Sequence, residues 1–222
     1  MLLLRDIADR VLVTPVRKMQ QTYEPLEQSD LDPDPFLTFE QWFKDANDTD
    51  IADPNAMSLA TSAANEVSVR TVLMKYWDAD GFVFFTNYEG RKAQQIAKNH
   101  HVGLLFYWEC LGRQVRIEGT ATRISATESL KYFATRPRGS QLGAWCSPQS
   151  TVISSRSVLY AKLDEIKQKF ANHQVPLPSM WGGYRVAPRR IEFWQQGKDR
   201  LHDRFLYENK ADGVWSLDRL AP

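Results

Sequence analysis

Cysteine is nearly absent: only Cys110 and Cys146 occur, far apart and outside any CxxC pair. A disulfide framework is therefore not expected to organise this fold, and a reducing, cytoplasmic setting suits the chain best. Long apolar runs are also missing. None approaches the roughly 20 residues that span a bilayer, and the opening MLLLRDIADRVLV is broken by Arg5 and Asp6 before a signal-peptide core can form. Charge of one sign is not in excess either, with 28 Lys and Arg against 27 Asp and Glu. That balance argues against a general nucleic-acid or membrane-surface binder. No internal repeat or low-complexity tract is visible, and GxGxxG, Walker, GxSxG and HExxH patterns are all lacking. Of the four histidines, His100 and His101 are adjacent and His173 lies at a polar helix end, so no metal site is expected.

What remains is an ordinary globular composition, 43% hydrophobic over 222 residues, enough for one sizeable core. Residues 1–33 are polar and acidic around EPLEQSDLDPD, and read as a mobile arm with one short helix at its start. Residues 34–222 read as a single domain. In DPDPFLTFEQWFKDA, Asp34 can cap and Pro35 can open a helix with Phe36, Phe39 and Phe43 on one face. From 57 to 124 the texture turns to strands rich in β-branched and aromatic residues, with DADG (78–81) as a hairpin connection. A helix at 90–101 interrupts them. Another starts at Ser125, in capping-box spacing with Glu128, and stops at Pro137. A third, 155–171, carries Leu159, Leu163, Ile166 and Phe170. PLPSMWGGY reads as a loop, followed by strands near 185–195, 200–208 and 213–218. The expected fold is mainly β with α additions: an antiparallel barrel decorated by helices, not a βαβ sheet.

Cations are placed in ways a solvated surface does not require. Arg91 and Lys92 open a helix, where the macrodipole disfavours them unless an anion sits on the free N–H groups. Arg70 and Lys75 bracket an apolar strand centre; strict alternation would send them to opposite faces unless a bulge intervenes. Tyr132 and Arg136 are four apart on one helix, with Ser140 in the following loop, a set suited to a phosphate. In QGKDRLHDRF, an extended chain would put Lys198, Arg200, His202 and Arg204 on one face. Like charges at that spacing, roughly 7 Å, repel by about 2.4 kcal/mol at an effective dielectric of 20. Each cluster also has a bland reading as a solvated end or face, but together they suit two phosphate-bearing planar molecules.

RTVLMK (70–75), FFTNYEGRKAQQI (84–96), RQVRIEG (113–119), YFATRPRGSQLGAW (132–145), PSMWGGYRV (178–186), IEFWQ (191–195), RLHDRF (200–205) and the ending DRLAP resemble the pyridoxine/pyridoxamine 5′-phosphate oxidase family. The matching runs in order from about residue 31 to the end. The resemblance implies an FMN-binding split barrel, a six-stranded Greek-key barrel with surrounding helices, working as a homodimer with FMN at the subunit interface. It implies oxidation of pyridoxamine or pyridoxine 5′-phosphate to pyridoxal 5′-phosphate, with a hydride passing from C4′ to flavin N5 and oxygen becoming hydrogen peroxide. For FMN it implies Arg70, Lys75, Phe85, Thr86, Arg91, Lys92, Gln114, Gln149, Ser150, Trp194 and Arg204. For substrate it implies Lys75, Tyr132, Arg136 and Ser140, with Arg200 and His202 beside the reacting carbon as catalytic residues. The family's arm often carries M-R-x-x-Y; here MQQTY (19–23) has Gln20 in the arginine's place, with Arg17 nearby and Tyr23 retained. Two other readings are a different split-barrel flavin reductase and a non-catalytic flavin or pyridoxal-phosphate carrier. The first need not keep Tyr132, Arg136, Ser140, Arg200 and His202 together, and the second need not keep every catalytic position.

Overall fold

The computed structural model describes residues 24–210 and 213–222. The expected helix at the chain start and the MQQTY stretch lie outside the described residues. Turn chemistry sets the first strand order. Strand β1 (Ala56–Ala63) turns back into β2 (Glu66–Asp78) through Ala64 and Asn65, whose positive φ values of 51° and 63° match a tight two-residue hairpin. Strand β3 (Gly81–Asn87) then pairs with β2 from Asp78↔Gly81, as DADG predicted. Gly81 has φ +130°, and a Cβ there would lie 2.1 Å from the Val186 carbonyl oxygen, so only glycine fits.

Strands β4 (His101–Trp108), β5 (Arg113–Arg123) and β6 (Trp181–Gln195) complete the barrel. The hydrogen-bonded order is β3-β2-β1-β4-β5-β6, and β6 pairs back with β3 to close a ring of six antiparallel strands. Closure leaves the ring without an open edge. The 15 residues of β6 pair with β5 along one edge and divide the other: Trp181–Val186 meets β3, while Arg190–Gln195 meets β7 (Asp203–Asn209). β7 in turn carries β8 (Trp215–Leu220), so these last strands extend from the barrel.

Alternation fills the interior. Met57, Leu59, Phe82, Phe84, Phe106, Ile117 and Phe193 are all fully buried. Helix α1 (Pro35–Asn47) lies against them, with the Asp34 carboxylate accepting from the Phe36 N–H at 2.9 Å as expected. Phe39 is its buried centre, 4.9 Å edge-on from Phe82; Phe36 and Phe43 are only partly buried, and Trp42 and Ala46 complete the stripe. Burying one such phenyl group contributes about 2–3 kcal/mol. A second apolar cluster joins helices α3 (Ala126–Thr135), α4 (Arg138–Cys146) and α5 (Arg156–Lys169) around Phe133, Leu142, Ile166, Phe170 and Trp181. Helix α2 (Arg91–Lys98) follows β3.

Four expectations need correction. Ser140 is not in a loop: Pro137 ends α3 but also precedes α4, whose first turn holds Ser140. The WGGY segment is strand, the first residues of β6. Residues 198–200 form a 3₁₀ turn, with Asp199 and Arg200 at φ 55° and 65°, so the basic row of 198–204 is not extended. Finally, Leu26 and Leu31 are buried in the core, and the Leu26 N–H donates to Asp203 at 3.0 Å. Residues 24–33 are thereby packed onto the C-terminal strands.

Candidate active site

A cavity of about 850 Å³ opens between β2, β3, α3 and α4. Nine of the residues singled out from sequence line it: Arg70, Lys75, Phe85, Thr86, Lys92, Tyr132, Arg136, Ser140 and Gln149. Arg70 and Lys75 reach the same cavity because the β2–β3 register shifts between Met74 and Tyr76, leaving Lys75 in the irregularity.

The cations fall into two groups. In the first, Lys92 Nζ donates to Gln149 Oε1 at 2.6 Å and to Thr86 Oγ1 at 3.0 Å. Arg70 donates to Thr61 Oγ1 at 2.6 Å and to the Leu59 carbonyl at 2.9 Å. Burial, then the neighbouring Arg70, hold the Lys92 ammonium below its usual range; burial and Arg91 do the same to Arg70. Gly90 caps α2, and a Cβ there would come within 2.5 Å of Gln149 Oε1. Arg91 and Ser150 stand outside the lining. The Arg91 N–H donates to Ser150 Oγ at 3.2 Å, and its guanidinium pairs with Glu66 at 3.2 Å.

In the second group, burial and then Arg136 lower the Lys75 pKa, with Asp53 opposing weakly, and burial lowers that of Arg136. Among the described residues, no carboxylate lies within ion-pair distance of Arg70, Lys75, Lys92 or Arg136. Arg136 Nη1 is buried and has no hydrogen-bond partner among the described residues. An orphaned guanidinium nitrogen in a cation-rich cavity is what an anion site looks like without its anion. Phe85, Tyr132 and Trp181 stack nearly parallel beside it, Phe85 4.0 Å from Tyr132 and 5.2 Å from Trp181.

The remaining candidates are not in this cavity. Gln114, Trp194 and Arg204 are neighbours across β5, β6 and β7. His202 packs on Trp194 at 4.6 Å, and its Nδ1 accepts from the Gly197 N–H at 3.2 Å. Arg200 is exposed in the turn before them. Two residues escaped the sequence reading. Glu192, only 2% exposed, holds Arg204 Nε at 2.9 Å and Arg116 at 2.5 Å. Trp181 lies under Arg136. An acid inside the apolar run IEFW was the available signal for the first; a two-glycine segment concealed the second.

Residues 43–170 match the family described as Pyridoxamine 5′-phosphate oxidase, and residues 181–222 match the Pyridoxine 5′-phosphate oxidase C-terminal dimerisation region. The pyridoxine/pyridoxamine 5′-phosphate oxidase of Crocosphaera subtropica is 59% identical over 206 residues, covering 91% of this chain and 96% of that protein. The protein of the same name from Aliarcobacter butzleri is 57% identical, covering 92% and 97%. Among solved structures, PhzG from Burkholderia lata in complex with tetrahydrophenazine-1-carboxylic acid superposes with a TM-score of 0.84 at 27% identity, covering 91% of this chain and all of that one.

Proposed function

The chain belongs to the pyridoxine/pyridoxamine 5′-phosphate oxidase family and is an oxidoreductase that oxidises these phosphates; from that premise we propose how its residues divide the work. The observation that carries the proposal is the pair of uncompensated cation groups on one cavity. Two groups mean two phosphates. Arg70, Lys92, Thr86, Gln149 and the start of α2, with Arg91 and Ser150 alongside, hold the phosphate end of FMN. Lys75, Tyr132, Arg136 and Ser140 hold the substrate phosphate. Phe85 lines the same cavity and stacks on Tyr132 and Trp181, which holds these rings in place. FMN bound there supplies the hydride acceptor at N5 and the route for electrons to oxygen.

The set on β5–β7 completes the site from a second copy of the chain. The dimerisation region covers Trp194, Arg200, His202 and Arg204, and Gln114 pairs with Trp194 from β5. Glu192 fixes the guanidinium of Arg204 for contact with the flavin. The Gly197 N–H occupies His202 Nδ1, which leaves Nε2 as the ring nitrogen available to substrate. Arg200 brings a further positive charge from its exposed turn. The residues contribute mainly position: two phosphate grips set the distance between the molecules, and the cations stabilise negative charge gained by the flavin.

The test is the visible spectrum of the purified protein, recorded anaerobically before and after adding pyridoxamine 5′-phosphate. The expected flavin bands bleach and return on admitting air. Bands that persist would point to another split-barrel chemistry or a carrier. No flavin after reconstitution with FMN would end the proposal.

A further inference from the structure

Some arginine side chains in this protein are held by carboxylates and others are not. Arg204 is tied to the buried Glu192, and Arg185 to Asp78 and Glu128. Those carboxylates fix the guanidinium but also cancel its charge. Arg136 has no such partner among the described residues; its guanidinium carbon instead lies 4.6 Å above the centre of the Trp181 ring and 5.8 Å from that of Phe133. The electron-rich ring face attracts the cation without neutralising it.

Trp181 is itself immobilised. It is 8% exposed, and Phe85 stacks at 5.2 Å with an interplanar angle of 13°. Phe133 meets it edge-on at 5.2 Å. Its backbone pairs with Asn87 of β3, and its N–H donates to the Pro178 carbonyl at 3.1 Å. Gly182 and Gly183 keep the following strand close, since a Cβ at either would strike Tyr88 or Ile124 within 2.5 Å. A buried ring thus supports the long, charged side chain of the α3 C-cap residue, whose backbone is extended and whose N–H donates to the Phe133 carbonyl at 3.2 Å.

We propose that Trp181 is a positioning residue for substrate recognition: it aims the unneutralised Arg136 guanidinium at the substrate phosphate in place of a carboxylate. This rests on the assignment of Arg136 to that phosphate. The ring's effect is confined to substrate; the FMN phosphate group of residues is separate.

The test compares Trp181→Leu, Trp181→Phe, Arg136→Met and the double variant Trp181→Leu/Arg136→Met. Trp181→Leu is expected to raise KM for pyridoxamine 5′-phosphate about 2- to 30-fold, the range of cation–π contributions. Its kcat and FMN affinity stay within a factor of about 3 by the same argument, and Trp181→Phe restores most of the lost KM. In the Arg136→Met background, removing the ring has little further effect, because the ring acts through the guanidinium. Independent, multiplicative effects would overturn the proposal. An unchanged KM in Arg136→Met would instead overturn the phosphate assignment. If Trp181→Leu does not fold, site-specific replacement of Trp181 by mono-, di- and trifluorotryptophan weakens the ring face at nearly constant shape. KM rising stepwise supports the proposal, and a flat series refutes it.

Discussion

Lys75→Met should stabilise the FMN-free protein while weakening its grip on substrate. Lys75 lies on the cavity wall with Arg136 as its strongest charged neighbour, and no carboxylate is within ion-pair distance among the described residues. Two like charges a Debye length apart, about 8 Å, would repel by about 2 kcal/mol at an effective dielectric of 20, an upper bound for this pair. Lys75 is exposed on the cavity side, and solvent screening reduces this to about 0.5–1 kcal/mol. Methionine keeps much of the stem's packing and removes the charge. For a chain of this size, the gain corresponds to a Tm higher by about 1–4 °C. Substrate tells the opposite story. Losing one charge-assisted hydrogen bond to the phosphate, about 1.5–3 kcal/mol, raises KM for pyridoxamine 5′-phosphate about 10- to 150-fold. The assay is thermal unfolding of apoprotein with and without the substrate, beside steady-state kinetics of the FMN-loaded enzyme. Wild type should gain more Tm from substrate than the variant does. A ligand-free Tm several degrees lower in Lys75→Met would refute the reasoning, since it would mean the fold already compensates this charge.

Glu192→Gln removes the buried negative charge between Arg204 and Arg116 but keeps an acceptor, so a loss of about 1–3 kcal/mol is expected, less than the full cost of breaking a buried pair. Thermal unfolding and an FMN titration check it; unchanged Tm and FMN affinity would remove Glu192 from the account. Gly197→Ala places a Cβ 1.8 Å from the Leu201 carbonyl oxygen, which must open the turn that carries Arg200 and His202. Turnover should fall about 10-fold or more through misplacement, with FMN binding at the other cation group retained; normal turnover would show that the turn's shape is immaterial. For pH, the folded pKa values of Lys75 and Lys92 lie below their unfolded ones. Between the two values the unfolded chain holds the extra protons, so apoprotein stability rises with pH across that window, and the cost is fully present below it. A bound phosphate reverses the shift, so binding of pyridoxamine 5′-phosphate at mildly alkaline pH should take up protons. Calorimetry in two buffers of different ionisation enthalpy measures this, and zero or negative uptake contradicts it.

Much of the site could be read from residue types and spacing, and the gaps have physical causes. Arg91 and Lys92 were legible because they do open a helix, whereas Tyr132 and Arg136 both line the cavity although Arg136 is the extended C-cap of α3 (φ −70°, ψ 146°), not a residue four along on one helix face as expected. Arg70 and Lys75 were ambiguous by alternation, and the register shift in β2 resolves them onto one cavity. Helix α4 was hidden because Pro137 reads as a terminator, and Gly139 and Gly143 lower helix propensity in a segment of nine residues. The alternation in 198–204 imitated a strand, but it says nothing about Asp199 and Arg200 adopting left-handed backbone. Arg204 does lie in a strand; Lys198 and Arg200 lie in the turn before it. The roles of Trp181 and Glu192 were missed for a different reason: beyond the odd acid in IEFW, they depend on contacts between separate elements of the chain.

The proposed site is assembled from two chains, and subunit complementation tests that most directly. One variant combines Lys75→Met with Arg136→Met, and the other combines His202→Ala with Arg204→Ala; each should be inactive alone. Unfolding and refolding an equal mixture yields heterodimers in which one site receives both damaged halves and the other receives neither. The expected activity is roughly a quarter of wild type, from half the dimers each carrying one intact site. No activity from verified heterodimers would contradict the account, because it would place both groups of residues in a site made by a single chain.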